Sequence, residues 1–113
     1  MSQNLEAIGK INEYIDNSRD EIVQFLKDFI AIESVTYNEG NAIQWLAGKM
    51  REFGFDEVRV DKVGNVLGRV GSGKTVFMYD AHIDTVELGD PKDWGFNPLE
   101  AKVDEDGVLW GRG

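Results

Sequence analysis

The sequence predicts an α/β fold in which helices come first and strands follow. Apolar residues recur at helical spacing up to Phe53, and the pattern then changes to short segments rich in alternating or β-branched residues. One such segment, Thr75–Tyr79, is apolar on both faces, which is typical of an interior strand covered on two sides. Helices followed by strands, with one strand doubly covered, indicate a layered α/β sheet.

Two helices are predicted near the start of the chain. A short amphipathic helix comes first. Its apolar positions are Leu5, Ile8, Ile11 and Ile15. Ser18 and Glu21 then match a capping box, in which the two side chains bond free backbone amides at the start of the next helix. The second helix has an apolar face made of Ile22, Val23, Phe25, Leu26, Phe29 and Ile30.

A third helix and several short strands are predicted after the polar loop Glu33–Gly40. The helix runs from about Asn41 to Phe53, and Gly54 follows as its left-handed C-terminal cap. The predicted strands are Val58–Val60, Val66–Val70, Thr75–Tyr79, Leu99–Val103 and Val108–Trp110. Turns are placed at Lys62–Asn65, Gly71–Lys74 and Asp104–Gly107, and Glu87–Asn97 is a loop.

The composition limits the size of the protein and its partners. A chain of 113 residues is long enough for one small domain. With 21 acidic and 12 basic residues the net charge is -9, which predicts binding neither to nucleic acid nor to anionic membranes. No cysteine is present, which excludes thiolate metal ligands and disulfides and fits a cytoplasmic location. The first residues lack the basic-then-apolar layout of a signal peptide.

A phosphate-loop spacing, G-x-x-x-x-G-K-T, runs from Gly68 to Thr75. Such a loop binds phosphate because it ends at the N-terminus of a helix, where free amides and the helix dipole face the anion. Here the residues after Thr75 have a strand pattern and no helical periodicity. We therefore interpret Gly71–Lys74 as a hairpin turn, with a nucleotide-binding fragment as the alternative.

The segment after this loop contains a pattern that suits a metal ligand. His82 is the only histidine, and it follows the apolar segment with Asp80 and Asp84 beside it. Side chains two residues apart on a strand share a face, so Asp84 is within reach of the imidazole nitrogen that does not bind the metal. Such a contact fixes the tautomer and makes histidine a better ligand. The end of an interior strand is also where α/β sheets bind ligands.

Several motifs together resemble the zinc-dependent family of acetylornithine deacetylase, succinyl-diaminopimelate desuccinylase and carboxypeptidase G. The segments that carry the resemblance are Phe29–Thr36, Glu39, Gly54-Phe55, Gly64-Asn65-Val66, Met78–Val86, Trp94, Pro98 and Asp106–Gly113. They cover about Ser18 to Gly113 and follow the order expected of that family. The sequence around Asp80–Val86 is closest to a bacterial branch linked to selenium metabolism. Departures from the family pattern are Glu33, Ala81 and Glu87.

The resemblance implies a fold, a cofactor and two site residues. The fold would be a partial α/β/α layered mixed sheet of a zinc-peptidase-like catalytic domain. His82 would bind one zinc of a two-metal site, with cobalt or manganese as other metals. Asp84, the candidate residue of the catalytic site, would orient His82 rather than bind metal. A metal-activated water would cleave the amide bond of an N-acyl amino acid or small peptide, with a glutamate as general base.

The resemblance also implies that residues 1–113 are the N-terminal part of a longer catalytic domain. In that family the bridging aspartate, the paired glutamates, the later ligands and a lid domain all follow the Gly-Arg-Gly run that ends at Gly113. We therefore expect this chain alone to be inactive, to bind zinc weakly, and to self-associate, either through the edge of an incomplete sheet or by exchange of an element such as the first helix. The alternative is a non-enzymatic α/β interaction module in which His82 is structural.

Overall fold

The structure, a computed structural model, describes residues 2–112. Three helices precede four short strands, which confirms the predicted α/β class and the order of its elements. The helices are α1 (Ser2–Asn17), α2 (Arg19–Ile30) and α3 (Gly40–Glu52). The strands are β1 (Glu57–Val60), β2 (Val66–Arg69), β3 (Lys102–Val103) and β4 (Leu109–Trp110). A single turn of 3-10 helix, Pro91–Asp93, lies within the predicted loop Glu87–Asn97.

The junction between α1 and α2 differs from the predicted capping box. The Ser18 backbone amide already donates to the carbonyls of Tyr14 and Ile15, at 3.0 and 3.1 Å, so it continues α1. Ser18 has φ -94° and ψ 6°, and its side chain makes no capping hydrogen bond. The predicted capping box is wrong, because the Ser18 amide that would donate to the Glu21 side chain is already bonded within α1. The two helices therefore follow each other almost without interruption.

The predicted amphipathic helix α1 forms, but its apolar side chains face solvent. The exposed fractions are 67% for Leu5, 52% for Ile8, 57% for Ile11 and 50% for Ile15. None of the helices among residues 2–112 is both long enough and apolar enough to cross a membrane.

An aromatic cluster joins α2 to α3. The Trp45 ring lies 5.1 Å from that of Phe25 and 5.4 Å from that of Phe29, where it is stacked at 15°. Phe53 adds a third contact, with its ring 6.1 Å from Phe25. Aromatic pairs at these distances stabilise packing by about 0.5–1.5 kcal/mol beyond the area that they bury. The apolar face predicted for α2 is therefore partly covered by α3.

The end of α3 has the predicted glycine cap. Gly54 has φ +76°, and its amide donates to the Arg51 carbonyl at 3.0 Å. The next amide, that of Phe55, donates to Met50 at 3.1 Å and satisfies a second free carbonyl of the helix. The chain is thereby reversed into β1, and the β1–β2 hairpin packs against α3.

The β1–β2 hairpin confirms two predicted strands and the turn between them. The strands are antiparallel, with Glu57 opposite Arg69 and Val60 opposite Val66. The Asp61 carboxylate organises the turn, because it accepts hydrogen bonds from the backbone amides of Val63 and Asn65. The side chain and amide of Asn65 chiefly account for the lowered pKa of Asp61.

The close packing of this hairpin on α3 gives a stability prediction. A β-carbon at Gly68 would lie 2.6 Å from Phe55 Cδ2 and 2.7 Å from Met50 Sδ. Gly68→Ala is therefore expected to destabilise the protein by about 1–3 kcal/mol, the usual cost of overpacking. Urea denaturation measures the difference. Gly73→Ala is the control, because its β-carbon would meet no atom closer than 3.9 Å. Equal unfolding midpoints for the two variants would contradict this packing.

The predicted interior strand Thr75–Tyr79 is wrong. This segment has no regular secondary structure, and Val76, Phe77, Met78 and Tyr79 are 73, 82, 81 and 94% exposed. A strand requires a neighbouring backbone to bond. Among residues 2–112, β1 pairs with β2 and β3 pairs with β4, and neither pair includes this segment. Gly71–Lys74 is for the same reason not a hairpin turn.

The last two strands form a short antiparallel pair that is joined to the loop after α2. Lys102 lies opposite Trp110, and the Trp110 indole donates to the Asp104 carboxylate in the connecting turn at 2.7 Å. Beyond β4 the buried Arg112 donates through Nη2 to the Ile32 carbonyl at 2.9 Å. The last glycine of the predicted Gly-Arg-Gly motif, Gly113, lies outside the described residues.

Candidate metal-binding site

The structure brings His82 and Asp84 together. His82 Nδ1 lies 2.9 Å from the Asp84 backbone carbonyl and 3.3 Å from Asp84 Oδ1. Both neighbours are hydrogen-bond acceptors, so this arrangement favours the tautomer in which Nδ1 carries the proton. The other nitrogen, Nε2, makes no hydrogen bond to any of residues 2–112, and the side chain is 79% exposed. Its lone pair is therefore available to a ligand.

The position of the pair in the fold differs from the prediction. His82 and Asp84 do not follow an interior strand, because residues 75–79 form none. Their contact therefore does not depend on a shared strand face. It is a local contact between residues two apart, and it lies beside a short parallel bridge in which Thr85 pairs with Val35, in the loop that follows α2.

This bridge is held by hydrogen bonds of both backbone and side chains. The Thr85 amide donates to the Ser34 carbonyl at 2.8 Å, and the two hydroxyl oxygens lie 3.2 Å apart. Ser34 is 4% exposed, so these bonds are shielded from water. The loop after α2 and the segment around His82 thus form one local unit, although about fifty residues of chain separate them.

Thr36 connects the same loop directly to the candidate site. Its hydroxyl donates to Asp84 Oδ2 at 2.8 Å. This bond is the main reason why the pKa of Asp84 is lowered, and the contact with His82 lowers it further. Asp84 is therefore anionic at neutral pH, as an acceptor for an imidazole N–H should be.

The described residues supply one candidate metal ligand, His82. His82 suits zinc, because a neutral imidazole with one nitrogen held by an acceptor is a common zinc ligand. No group of three histidine, aspartate or glutamate side chains placed to hold a metal occurs among residues 2–112. A catalytic zinc takes about three protein ligands and a water. The described residues therefore account for one ligand, and the roles of His82 and Asp84 stay predictions.

The phosphate-loop spacing has no phosphate-loop structure around it. Gly68 lies within β2 and packs on Phe55, and the Gly71 amide donates to the Asp56 carboxylate at 2.6 Å. The segment that follows Thr75 is exposed and has no regular secondary structure, so it lacks the helix whose N-terminus a phosphate requires. The geometry therefore does not favour nucleotide binding at these glycines.

Sequence reasoning did not identify Thr36 and Ser34 as parts of the site. The two hydroxyl side chains alternate across Val35, a spacing that puts them on one side of an extended segment. That alternation was the available signal. It did not indicate which distant segment the hydroxyls contact, because nothing local links Thr36 to Asp84.

Comparisons with known proteins found several relatives. The Escherichia coli K12 protein YgeY, described as uncharacterized, is 40% identical over 93 residues, which are 82% of this chain and 23% of YgeY. Succinyl-diaminopimelate desuccinylase 2 of Ruegeria sp. is 36% identical over 96 residues, 80% of this chain and 24% of that protein. Succinyl-diaminopimelate desuccinylase of Wolbachia pipientis is 35% identical over 94 residues, 80% and 23% of the two chains.

The chain spans about a quarter of the length of these curated relatives. No family model matches the chain, and no solved structure matches it significantly.

Proposed function

Because the chain belongs to the family of the succinyl-diaminopimelate desuccinylases, we propose that it is the N-terminal part of the catalytic domain of a metal-dependent hydrolase. The whole protein would cleave amide bonds of N-acyl amino acids or small peptides. The relatives that are named desuccinylases support an acyl amino acid as substrate.

The observation that carries this proposal is the arrangement of His82. Its Nδ1 faces two acceptors of Asp84 while its Nε2 is directed to no other described residue. Histidine ligands in zinc enzymes have this arrangement, in which an acceptor behind the ring fixes the tautomer. When bound, the metal supplies a water made nucleophilic near neutral pH and a positive charge for the developing oxyanion.

Zinc is the metal that we propose for the whole protein, with cobalt or manganese as substitutes. Imidazole is a ligand that suits zinc well. With a single candidate ligand, residues 1–113 alone are expected to bind zinc weakly and to lack hydrolase activity. The cytoplasm is the proposed location, because a chain without cysteine fits a reducing compartment.

The test of this function uses the full-length protein that contains this chain. Purified protein is stripped of metal, titrated with zinc or cobalt, and assayed against N-succinyl and N-acetyl amino acids. Metal-dependent release of the free amino acid is the expected result. Magnesium-ATP is offered in parallel. ATP binding without hydrolysis would favour a nucleotide-binding protein, and neither activity would favour the interaction module.

We also propose that the 113-residue chain self-associates through residues 75–79. These residues belong to no strand and expose four large side chains, those of Val76, Phe77, Met78 and Tyr79. An unpaired apolar segment of this kind pairs readily with a second copy. Salt at about 0.15 M screens the repulsion between chains of net charge -9.

Sedimentation velocity over a series of concentrations is expected to show a mass that rises with concentration. Val76→Lys should abolish the rise, because it puts a charge into the apolar segment. Val63→Lys makes the same change in the β1–β2 turn, where Val63 is 85% exposed, and should leave the rise intact. A wild-type chain that is monomeric at every concentration would refute the proposal.

A further inference from the structure

A chain of three polar groups runs from the loop after α2 to the candidate ligand. The Thr36 hydroxyl donates to Asp84 Oδ2 at 2.8 Å. His82 Nδ1 is hydrogen-bonded to the Asp84 backbone carbonyl at 2.9 Å and also lies 3.3 Å from Asp84 Oδ1, a polar contact. Each carboxylate oxygen of Asp84 thus faces its own neighbour. A carboxylate held at both oxygens is fixed in rotation about its last side-chain bond, whereas one held at a single oxygen is free to turn.

Packing does not prevent the Asp84 carboxylate from rotating. The Asp84 side chain is 41% exposed, and it lies in a segment without helix or strand. His82, at 79% exposure, has no packing to hold its ring either. The orientation of both groups therefore depends on hydrogen bonds, and Thr36 makes the one that comes from outside the segment.

The backbone holds Thr36 where this bond is made. Val35 forms the parallel bridge with Thr85, and Thr36 and Asp84 lie diagonally across this bridge, close enough for their side chains to bond. The buried Ser34 adds its carbonyl and hydroxyl contacts to Thr85. Thr36 thus belongs to a local frame whose backbone is held by the bridge, so less backbone entropy is lost when its hydroxyl bonds Asp84.

We propose that Thr36 is a positioning residue whose hydroxyl fixes the Asp84 carboxylate so that His82 keeps its proton on Nδ1 and its lone pair on Nε2. This role adds a third residue to the proposed site. It rests on the proposed function only in so far as the Nε2 lone pair is taken to bind a metal. Thr36 touches neither the ligand nitrogen nor a substrate, and it acts through Asp84.

The tautomer of His82 is the direct test, and the metal-free 113-residue chain is the sample. His82 is the only histidine, so nitrogen-15 labelling of histidine gives a single imidazole whose nitrogen–proton couplings report the tautomer. Spectra are recorded at rising pH until the couplings no longer change, so that only the neutral ring is observed. The expected wild-type spectrum shows mainly the Nδ1–H form.

Thr36→Val removes the hydroxyl with little change of shape and is expected to lower the ratio of Nδ1–H to Nε2–H by about three- to tenfold, the effect of one net hydrogen bond. Thr36→Ser keeps the hydroxyl and should keep the wild-type ratio. Thr75→Val is the matched control, since Thr75 is also exposed and its side chain makes no hydrogen bond to residues 2–112. A wild-type ratio in Thr36→Val would overturn the proposal.

A double-mutant cycle tests whether Thr36 acts through Asp84. If it does, Thr36→Val should have no further effect on the tautomer once Asp84→Ala has been made. Equal effects of Thr36→Val with and without Asp84 would mean that Thr36 influences the ring by another route, and would also overturn the proposal. Amide spectra of each variant, compared with the wild type, report any loss of folding.

Failure of this proposal is distinguishable from failure of the proposed function. The tautomer measurements need no metal and no substrate. Metal-dependent hydrolysis is measured separately, on the full-length protein that contains this chain. A correct tautomer without response of the full-length protein to metal would refute the hydrolase and leave the role of Thr36 intact. Metal-dependent hydrolysis together with an unchanged tautomer in Thr36→Val would support the hydrolase and refute the role of Thr36.

Discussion

Replacing His82 with alanine is expected to remove one metal ion and nearly all hydrolase activity from the full-length protein that contains this chain. His82 is the only histidine here, and its Nε2 is directed to no other residue among 2–112. A catalytic zinc has about three protein ligands, so the loss of one also changes the geometry of those that remain. The activity should fall by more than the roughly 10–100-fold typical for loss of a residue that only supports a ligand.

Metal content by elemental analysis and kcat/KM for an N-acyl amino acid measure this result. Lys74→Ala is the control, because it changes an exposed residue eight positions earlier in the chain. It should alter stability by no more than about 0.5 kcal/mol and leave the metal content unchanged. If His82→Ala retained both metal and activity, His82 would not be a ligand, and the interpretation of His82 as structural would be preferred.

Asp84→Asn is expected to keep much of the metal while lowering kcat/KM by roughly 10–100-fold. The side chain stays the same size, but its oxygen becomes a weaker acceptor and the negative charge near Nδ1 is lost. Thr36 would still have an oxygen to donate to, so the segment should remain folded. The effect is therefore expected in the orientation and basicity of His82 rather than in stability.

Asp80→Asn is the matched control for this prediction. Asp80 is also two residues from His82, it is exposed, and its carboxylate makes no hydrogen bond to residues 2–112. It should behave as the wild type. Loss of all metal in Asp84→Asn would indicate that Asp84 is itself a ligand. Wild-type kinetics in Asp84→Asn would show that the contact with His82 does not matter for the reaction.

The helices and the β1–β2 hairpin were predictable from sequence because the interactions that define them are local. The predicted helix, Asn41–Phe53, agrees with α3 to within one residue at each end. Gly54 has the left-handed conformation that its position implied. The turn at Asp61 is likewise determined by hydrogen bonds that reach at most four residues along the chain. Short-range periodicity and turn chemistry contain this information directly.

The capping box and the interior strand failed for different physical reasons. Ser18 and Glu21 have the right spacing, but α1 reaches Ser18 and bonds the amide that the box requires. Thr75–Tyr79 has the right composition, but composition does not supply the neighbouring strands that its backbone would need. Both predictions failed because a local pattern indicates only which secondary structure a segment can form. The segments packed against it determine which structure it adopts.

Part of the candidate site was likewise predictable from sequence, and part depends on the tertiary structure. The sequence by itself determined the helical and hairpin elements, the His82–Asp84 pair and its resemblance to a metal-dependent hydrolase family, because residue type and short spacing carry those signals. Only the tertiary structure decided that Thr36 bonds Asp84 and that the loop after α2 bridges to Thr85. Those contacts join segments 48 and about fifty residues apart, and which distant segments meet depends on packing of the whole chain.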